Sequence, residues 1–182
     1  IMVARGDLGI ETPAERVPFE QKRIIQLCNR QGKPVITATQ MLESMRTNPR
    51  PTRAEASDVY NAIIDGTDAV MLSAESASGD YPIRAVEVMN TIALTAEKYL
   101  WENRRGNSIE VGDSDNESIS DAISVATYQI SEALKPKAII ASTMTGYTTR
   151  RVAKERPQTP IICVTPNEKT YRRMALVWGV LP

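Results

Sequence analysis

Met2-Val3-Ala4-Arg5-Gly6-Asp7-Leu8-Gly9 tells more than the rest of the chain. The apolar run from Ile1 to Ala4 predicts a buried strand over 1–5. It passes straight into Arg5, Gly6 and Asp7, and Gly9 follows. The two glycines would let the backbone turn tightly and approach a ligand. Asp7 would then stand at the strand's carboxyl end, where parallel sheets and barrels place their chemistry. A carboxylate beside backbone N–H groups suits a metal ion together with an anionic substrate. A plain βα turn with an aspartate cap is the competing reading of the same residues. The chain opens inside this strand without an initiator Met, so the expectation is a piece of a larger protein.

Two similar units follow. The first unit continues through a loop to Pro13 and a helix near 17–31, with Ile24, Leu27 and Cys28 on one face and Gly32 and Pro34 ending it. The second has the strand Val35-Ile36-Thr37-Ala38-Thr39 and a polar loop with Pro49 and Pro51. Thr52-Arg53-Ala54-Glu55 then forms a capping box, in which hydroxyl and carboxylate satisfy each other's helix-end donors. Its helix reaches about Ile64, with Val59, Ala62 and Ile63 inward, and Gly66 closes it. The third has the strand Ala69-Val70-Met71-Leu72 and a small-residue loop from Ser73 to Asp80. Pro82 opens a long helix, where its missing N–H costs nothing. Val86, Met89, Ala93, Ala96 and Leu100 are expected on its inner face.

Strands alternating with helices indicate parallel β/α architecture. The strands are nearly continuous apolar runs, as strands buried on both faces should be. Residues 103–116 are polar and read as a linker, dividing a domain over 1–102 from another over 117–182. The second segment starts with a helix carrying Ile119, Ile123, Ala126, Ile130 and Leu134 at a period of about 3.6. The strand Ala138–Ala141, a Thr- and Gly-rich turn, a basic helix to Arg156, the strand Ile161–Val164 and a helix from about Glu168 to Val177 complete it.

Composition narrows the function. The chain has 182 residues, 42% apolar and 24% charged, which is globular usage. Lys plus Arg number 22 and Asp plus Glu 22, so zero net charge gives no electrostatic case for nucleic acid or an anionic membrane. No apolar run approaches the ~20 residues of a membrane span. Cys28 and Cys163 sit in apolar patterns and read as buried free thiols of a reducing compartment. The chain has 0 histidines, which excludes Ser-His-Asp and Cys-His machinery within it and argues against zinc.

Besides Arg5-Gly6-Asp7, three segments could carry chemistry. Thr39-Gln40 ends the second strand, where a Thr hydroxyl can bond a substrate or simply terminate the strand. Glu75, in Ser73-Ala74-Glu75 after the third strand, could be a ligand, a general base or, most commonly, a solvated loop carboxylate. Ser142-Thr143-Met144-Thr145-Gly146-Tyr147-Thr148 follows a strand and opens a helix, so hydroxyls and N–H groups converge as in a phosphate cradle. A Ser/Thr-capped turn competes with that reading. Arg150, Arg151 and Lys154 read as a solvated helix face.

Together these segments resemble pyruvate kinase. Residues 2–9 look like the family's metal- and substrate-binding strand and loop. Ala38-Thr39-Gln40-Met41-Leu42-Glu43-Ser44-Met45, Pro49-Arg50-Pro51-Thr52-Arg53-Ala54-Glu55 and Met71-Leu72-Ser73-Ala74-Glu75 follow in the family's order and spacing, and 138–165 resembles its regulatory domain. Long motifs in order are far more specific than one short motif.

The resemblance implies an α/β fold: the last three units of a (β/α)8 TIM barrel, then part of an α/β regulatory domain. It implies phosphoryl transfer from phosphoenolpyruvate to ADP, giving pyruvate and ATP. By that similarity Asp7 would bind Mg2+ (or Mn2+), and the Gly6 and Asp7 N–H groups would hold the substrate carboxylate, helped by a short helical turn. Thr39 would sit beside the carbon protonated when enolate becomes pyruvate, and Arg53 near a subunit interface close to a neighbour's active site. Thr143, Thr145, Gly146 and Thr148 would grip the phosphate of an allosteric effector. The family's catalytic lysine, second metal-binding glutamate, K+ ligands and nucleotide-clamping lid fall outside these residues, so this chain alone is expected to be inactive. A cytoplasmic homotetramer is expected of the parent.

Other readings stay open beside this one. The chain could be a binding module for a sugar phosphate or nucleotide monophosphate at 143–148. It could be an interaction fragment pairing through exposed barrel edges, or part of another metal-dependent barrel acting on pyruvate or its enolate. The last would not explain the order of the later motifs.

Overall fold

The structure, a computed structural model, describes residues 1–103 and 119–182. The chain divides into two compact units, one from 1–29 and 35–103 and the other from 30–34 and 119–182 among those residues. The linker expected over 103–116 lies, from residue 104 on, outside the described residues.

In the first unit, β1 (Met2–Ala4), β2 (Ile36–Ala38) and β3 (Ala69–Met71) form a parallel sheet in that order. Val3 pairs with Thr37, and Thr37 with Val70. The parallel β/α expectation holds. Burial on both faces does not: Met2 is exposed and β3 is half-buried at every position.

The segment after β1 departs from the expected loop. Arg5 opens a helix, α1 (Arg5–Glu11), which contains both Gly6 and Gly9. Neither has a positive φ. The conformational freedom expected of them is unused, because helical φ is open to any residue. A 3-10 turn over Ala14–Arg16 leads into α2 (Val17–Gln31). α2 turns its Gln21, Ile25 and Cys28 inward, while Leu27 is exposed. The buried face is therefore rotated from the expected one, and a polar Gln belongs to it. Val3, Ile25, Cys28 and Val35 make a small core there.

α3 (Arg53–Ile64) starts from the predicted capping box: Thr52 Oγ1 accepts from Glu55 N at 3.2 Å, and a Glu55 oxygen accepts from Thr52 N at 2.7 Å. Its buried residues are Val59, Ala62 and Ile63, as expected. Gly66 follows with φ +96, a value that an L side chain rarely adopts. A short helix, α4 (Ala74–Ala77), occupies the expected loop, and α5 (Pro82–Asn103) packs along α3. α5 buries Met89 and Ala96 and half-buries Ala93 and Leu100, as expected, while Ala85 takes the buried place expected of Val86, which is exposed. The larger core lies between these helices and the loop after β2, through Met41, Leu42, Met45, Val59, Ala62 and Met89. Burying the Met, Leu and Val side chains among these stabilises by about 1.5–3 kcal/mol each.

The second unit has its own parallel sheet: β4 (Ile139–Ser142), β5 (Ile161–Val164) and β6 (Val180–Leu181), in that order. One face packs against α7 (Tyr147–Lys154) and α8 (Glu168–Met174), through Ala141, Val152, Ile161, Cys163, Met174 and Val177. The other carries Ile140, Ile162 and Leu181 in register and exposed. α6 (Ile119–Leu134) packs against α7 but buries Ser124 and Ser131 and exposes Ile119, Ile123, Ile130 and Leu134. The expected apolar stripe thus faces away from this unit's core. Both serines satisfy their hydroxyls within the helix, on Ser120 O at 2.8 Å and Tyr128 O at 2.7 Å, so they can be buried at little cost.

Candidate functional site

Parallel strands present free backbone ends at one edge, and there the first unit collects polar groups. β1 ends at Ala4, so Arg5 and Gly6 emerge beside the end of β2, where Thr39 and Gln40 follow Ala38. Gly6 N donates to Thr39 Oγ1 at 2.9 Å, and that hydroxyl donates to Ala38 O at 2.6 Å. This contact brings together two of the three residues predicted for substrate and metal. The third, Asp7, lies in the first turn of α1 with its side chain exposed.

Thr39 has φ +68 and Gln40 φ +53. Two successive left-handed residues without glycine are uncommon, and a β-branched one is an outlier. Their carbonyls converge on Arg5, whose side chain is only 9% exposed. Arg5 Nε and Nη2 donate to Thr39 O at 3.1 and 2.7 Å. Nη2 also reaches Gln40 O and Met41 Sδ, each at 2.8 Å. Nη1 forms an ion pair with Asp58 on α3. A buried guanidinium needs acceptors for its fork of donors, and here it has them.

Two more charged side chains fasten the loop that leaves β2. Glu75 is fully buried and accepts from Leu42 N at 3.1 Å and Ser73 N at 2.8 Å. The solvated-carboxylate expectation is thereby corrected: Glu75 ties the ends of β2 and β3 together. Glu55 accepts from Ser44 N at 2.7 Å and Ser44 Oγ at 2.5 Å in addition to its capping contacts. Burial pushes its carboxyl up, but the bonds from the Ser44 hydroxyl and N–H and from Thr52 outweigh that and hold it below the ordinary glutamate range. Arg53, beside Thr52, is exposed at the start of α3.

Sequence reasoning quoted Arg5 without giving it a role and missed Asp58. The available signal was a charged residue closing an apolar run: a guanidinium drawn into such a place must find acceptors nearby.

The second unit places the predicted phosphate loop between β4 and α7. Thr143 is buried, and its Oγ1 accepts from Gly146 N at 3.0 Å. Gly146 has φ +79, and an added Cβ would come within 2.6 Å of Met174 Cε. Thr145 and Thr148 are exposed, and Thr145 O accepts from Arg150 Nη1 at 3.2 Å. Arg151 and Lys154 are not a solvated face: both bind Asp121 Oδ1, at 2.8 and 3.1 Å.

No cluster of three or more His, Cys, Asp and Glu suited to a metal occurs among the described residues. Asp7 is one exposed carboxylate, whereas a Mg2+ site normally gathers one or two carboxylates plus substrate oxygens, so Asp7 alone would hold that ion poorly. No helix among the described residues is long and apolar enough to cross a membrane.

Comparison with known proteins gives the site its context. Residues 1–86 match the pyruvate kinase barrel domain, and 121–182 match the pyruvate kinase alpha/beta domain. The chain is 56% identical to a pyruvate kinase of Clostridium acetobutylicum, covering 100% of this chain and 38% of that one. It is 57% identical to the pyruvate kinase of Geobacillus stearothermophilus, covering 99% and 30%. With that of Staphylococcus saprophyticus the identity is 54%, over 100% and 31%. The chain thus spans about a third of the length of these relatives.

Proposed function

The chain belongs to the pyruvate kinase family, and from that premise we propose that its first unit is the last three βα units of a (β/α)8 barrel. The carboxyl ends of β1 and β2 would be part of a face that transfers a phosphoryl group from phosphoenolpyruvate to ADP. The observation that carries this reading is the Gly6 N–H to Thr39 Oγ1 bond at 2.9 Å, which joins two strand ends next to the exposed Asp7.

Such transfer depends on positioning and on neutralising charge. Asp7 would hold Mg2+ or Mn2+, which when bound offsets the charge of the phosphoryl and carboxylate oxygens. The N–H groups of Gly6 and Asp7, at the start of α1, would orient the substrate carboxylate. For Gly6 this means exchanging the Thr39 hydroxyl for the substrate. Thr39, so released, would stand by the carbon that gains a proton as enolate becomes pyruvate. The catalytic lysine, a second carboxylate ligand and the K+ ligands would come from the rest of the longer protein. Arg53 would serve an interface between subunits of a cytoplasmic homotetramer.

In the second unit, a part of the regulatory domain by this reading, Thr145, Gly146 and Thr148 would grip the phosphate of a small effector at the start of α7. Thr143 shapes that turn. Support comes from the exposure of Thr145 and Thr148 and the left-handed Gly146. Binding of a sugar phosphate, lost in Thr145→Ala, would bear this out; unchanged titration would end it.

The main test is pyruvate formation from phosphoenolpyruvate and ADP with Mg2+ and K+. The longer protein should turn over and the 182-residue chain alone should not. An inactive longer protein would overturn the assignment. Turnover by the short chain that survives purification and disappears in Asp7→Ala would show that it needs no outside lysine or glutamate.

A further inference from the structure

We propose that Arg5 is a positioning residue: its guanidinium holds Thr39 and Gln40 in their left-handed conformation and so sets where the Thr39 hydroxyl stands relative to the substrate. This inference rests on the reading of the β1 and β2 ends as a catalytic face.

Three observations converge on it. First, Thr39 is a β-branched residue with φ +68, followed by Gln40 with φ +53. Strain of that kind persists only where the surroundings over-determine it. Second, the left-handed turn brings the carbonyls of both residues toward one point, and that point is occupied by Arg5 Nη2, 2.7 Å from Thr39 O and 2.8 Å from Gln40 O. A planar fork can serve several acceptors at fixed angles, which a lysine ammonium cannot. Third, the fork is anchored from behind by the ion pair of Nη1 with Asp58. Arg5 and Gly6 are adjacent, so one short stretch grips Thr39 twice: by its carbonyl through Arg5 and by its hydroxyl through Gly6 N at 2.9 Å.

The consequence is specific. Loss of the fork should let the Thr39–Gln40 backbone relax toward ordinary φ and swing the hydroxyl away, while Asp7 and the start of α1 stay on β1. Chemistry that depends on Thr39 should then suffer more than substrate binding. A misplacement of about 1 Å is enough for roughly a hundredfold loss of rate.

The experiment uses the longer protein with Arg5→Lys, Arg5→Gln and Asp58→Asn. It reads kcat and KM for phosphoenolpyruvate, exchange of the pyruvate methyl protons with solvent, and exchange of the Gly6 amide without substrate. In Arg5→Lys, kcat and methyl-proton exchange should fall about tenfold to a hundredfold with KM within about threefold. The Gly6 amide should exchange at least about tenfold faster while α5 amides are unchanged. Asp58→Asn should fall in between. If Arg5→Gln does not fold, Arg5→Lys and Asp58→Asn decide. Unchanged kcat in a folded Arg5→Lys, or a raised KM at constant kcat, would overturn the proposal. A wild-type protein that forms no pyruvate would instead overturn the functional reading beneath it.

Discussion

Replacing Glu55 tests how the loop after β2 is held. Its carboxylate accepts from Thr52 N at 2.7 Å, Thr52 Oγ1 at 2.8 Å, Ser44 N at 2.7 Å and Ser44 Oγ at 2.5 Å. A bond to a charged acceptor is worth about 1.5–3 kcal/mol, and a helix cap about 1 kcal/mol. The site is half-buried, so water recovers much of this in a variant, and Thr52 Oγ1 still caps residue 55 N. The expected net cost is about 2–3 kcal/mol for Glu55→Ala and about 1–2 kcal/mol for Glu55→Gln. At a urea slope of about 2 kcal/mol/M the alanine midpoint should fall by roughly 1 M. The pH dependence gives a second check. The folded carboxyl is held below its ordinary value, so its stabilisation is fully present above the unfolded pKa of about 4.3 and is lost as pH falls through the folded value. The gap between wild type and Glu55→Gln should therefore be widest at neutral pH and narrow progressively below about pH 4. A cost under about 0.5 kcal/mol for Glu55→Ala at pH 7, or a gap that does not narrow on acidification, would mean that this carboxylate does not hold the loop.

Two other substitutions probe separate parts of the fold. Gly146→Ala forces an L residue into φ +79 and sets its Cβ 2.6 Å from Met174 Cε. The left-handed φ should destabilise the second unit by about 1–2 kcal/mol, with the end of the Met174 side chain shifting to make room; the cost is read by denaturation, and a loss below about 0.5 kcal/mol would contradict the geometry. Glu75→Gln turns one of two buried acceptors into a donor facing the Leu42 or Ser73 N–H. It should cost about 2–4 kcal/mol, and a neutral result in thermal melts would mean that Glu75 does not join the two loops.

Much of the scaffold was legible because it follows from local chemistry. The apolar runs gave all three strands of the first sheet, Thr52 and Glu55 gave the capping box, and Pro82 gave the start of α5. Helix faces were read less well. Ile119, Ile123, Ile130 and Leu134 form a clean stripe, yet Ser124 and Ser131 are the buried positions. A periodic pattern tells that a helix has an apolar face, not which neighbour meets it. The site divided the same way. Gly6 and Thr39 were each singled out through family resemblance as substrate-binding; that Gly6 N donates to Thr39 Oγ1 at 2.9 Å was not foreseen. The clamp of Arg5 on Thr39, Gln40 and Asp58 joins positions up to 53 apart in sequence, a separation that no local pattern encodes. Glu75 was misread for a related reason: a carboxylate in a small-residue loop looks solvated until two backbone N–H groups are found facing it.

If the strand-end face carrying Asp7 takes part in metal-assisted phosphoryl transfer, as proposed above, the rate must depend on Asp7 and on Mg2+ together. The most direct measurement is the Mg2+ dependence of pyruvate formation by the longer protein and its Asp7→Ala variant. The variant should lose at least about a hundredfold in rate and require far more Mg2+ for what remains. Activity within about threefold of wild type at the same Mg2+ concentration would contradict the claim and place the metal elsewhere.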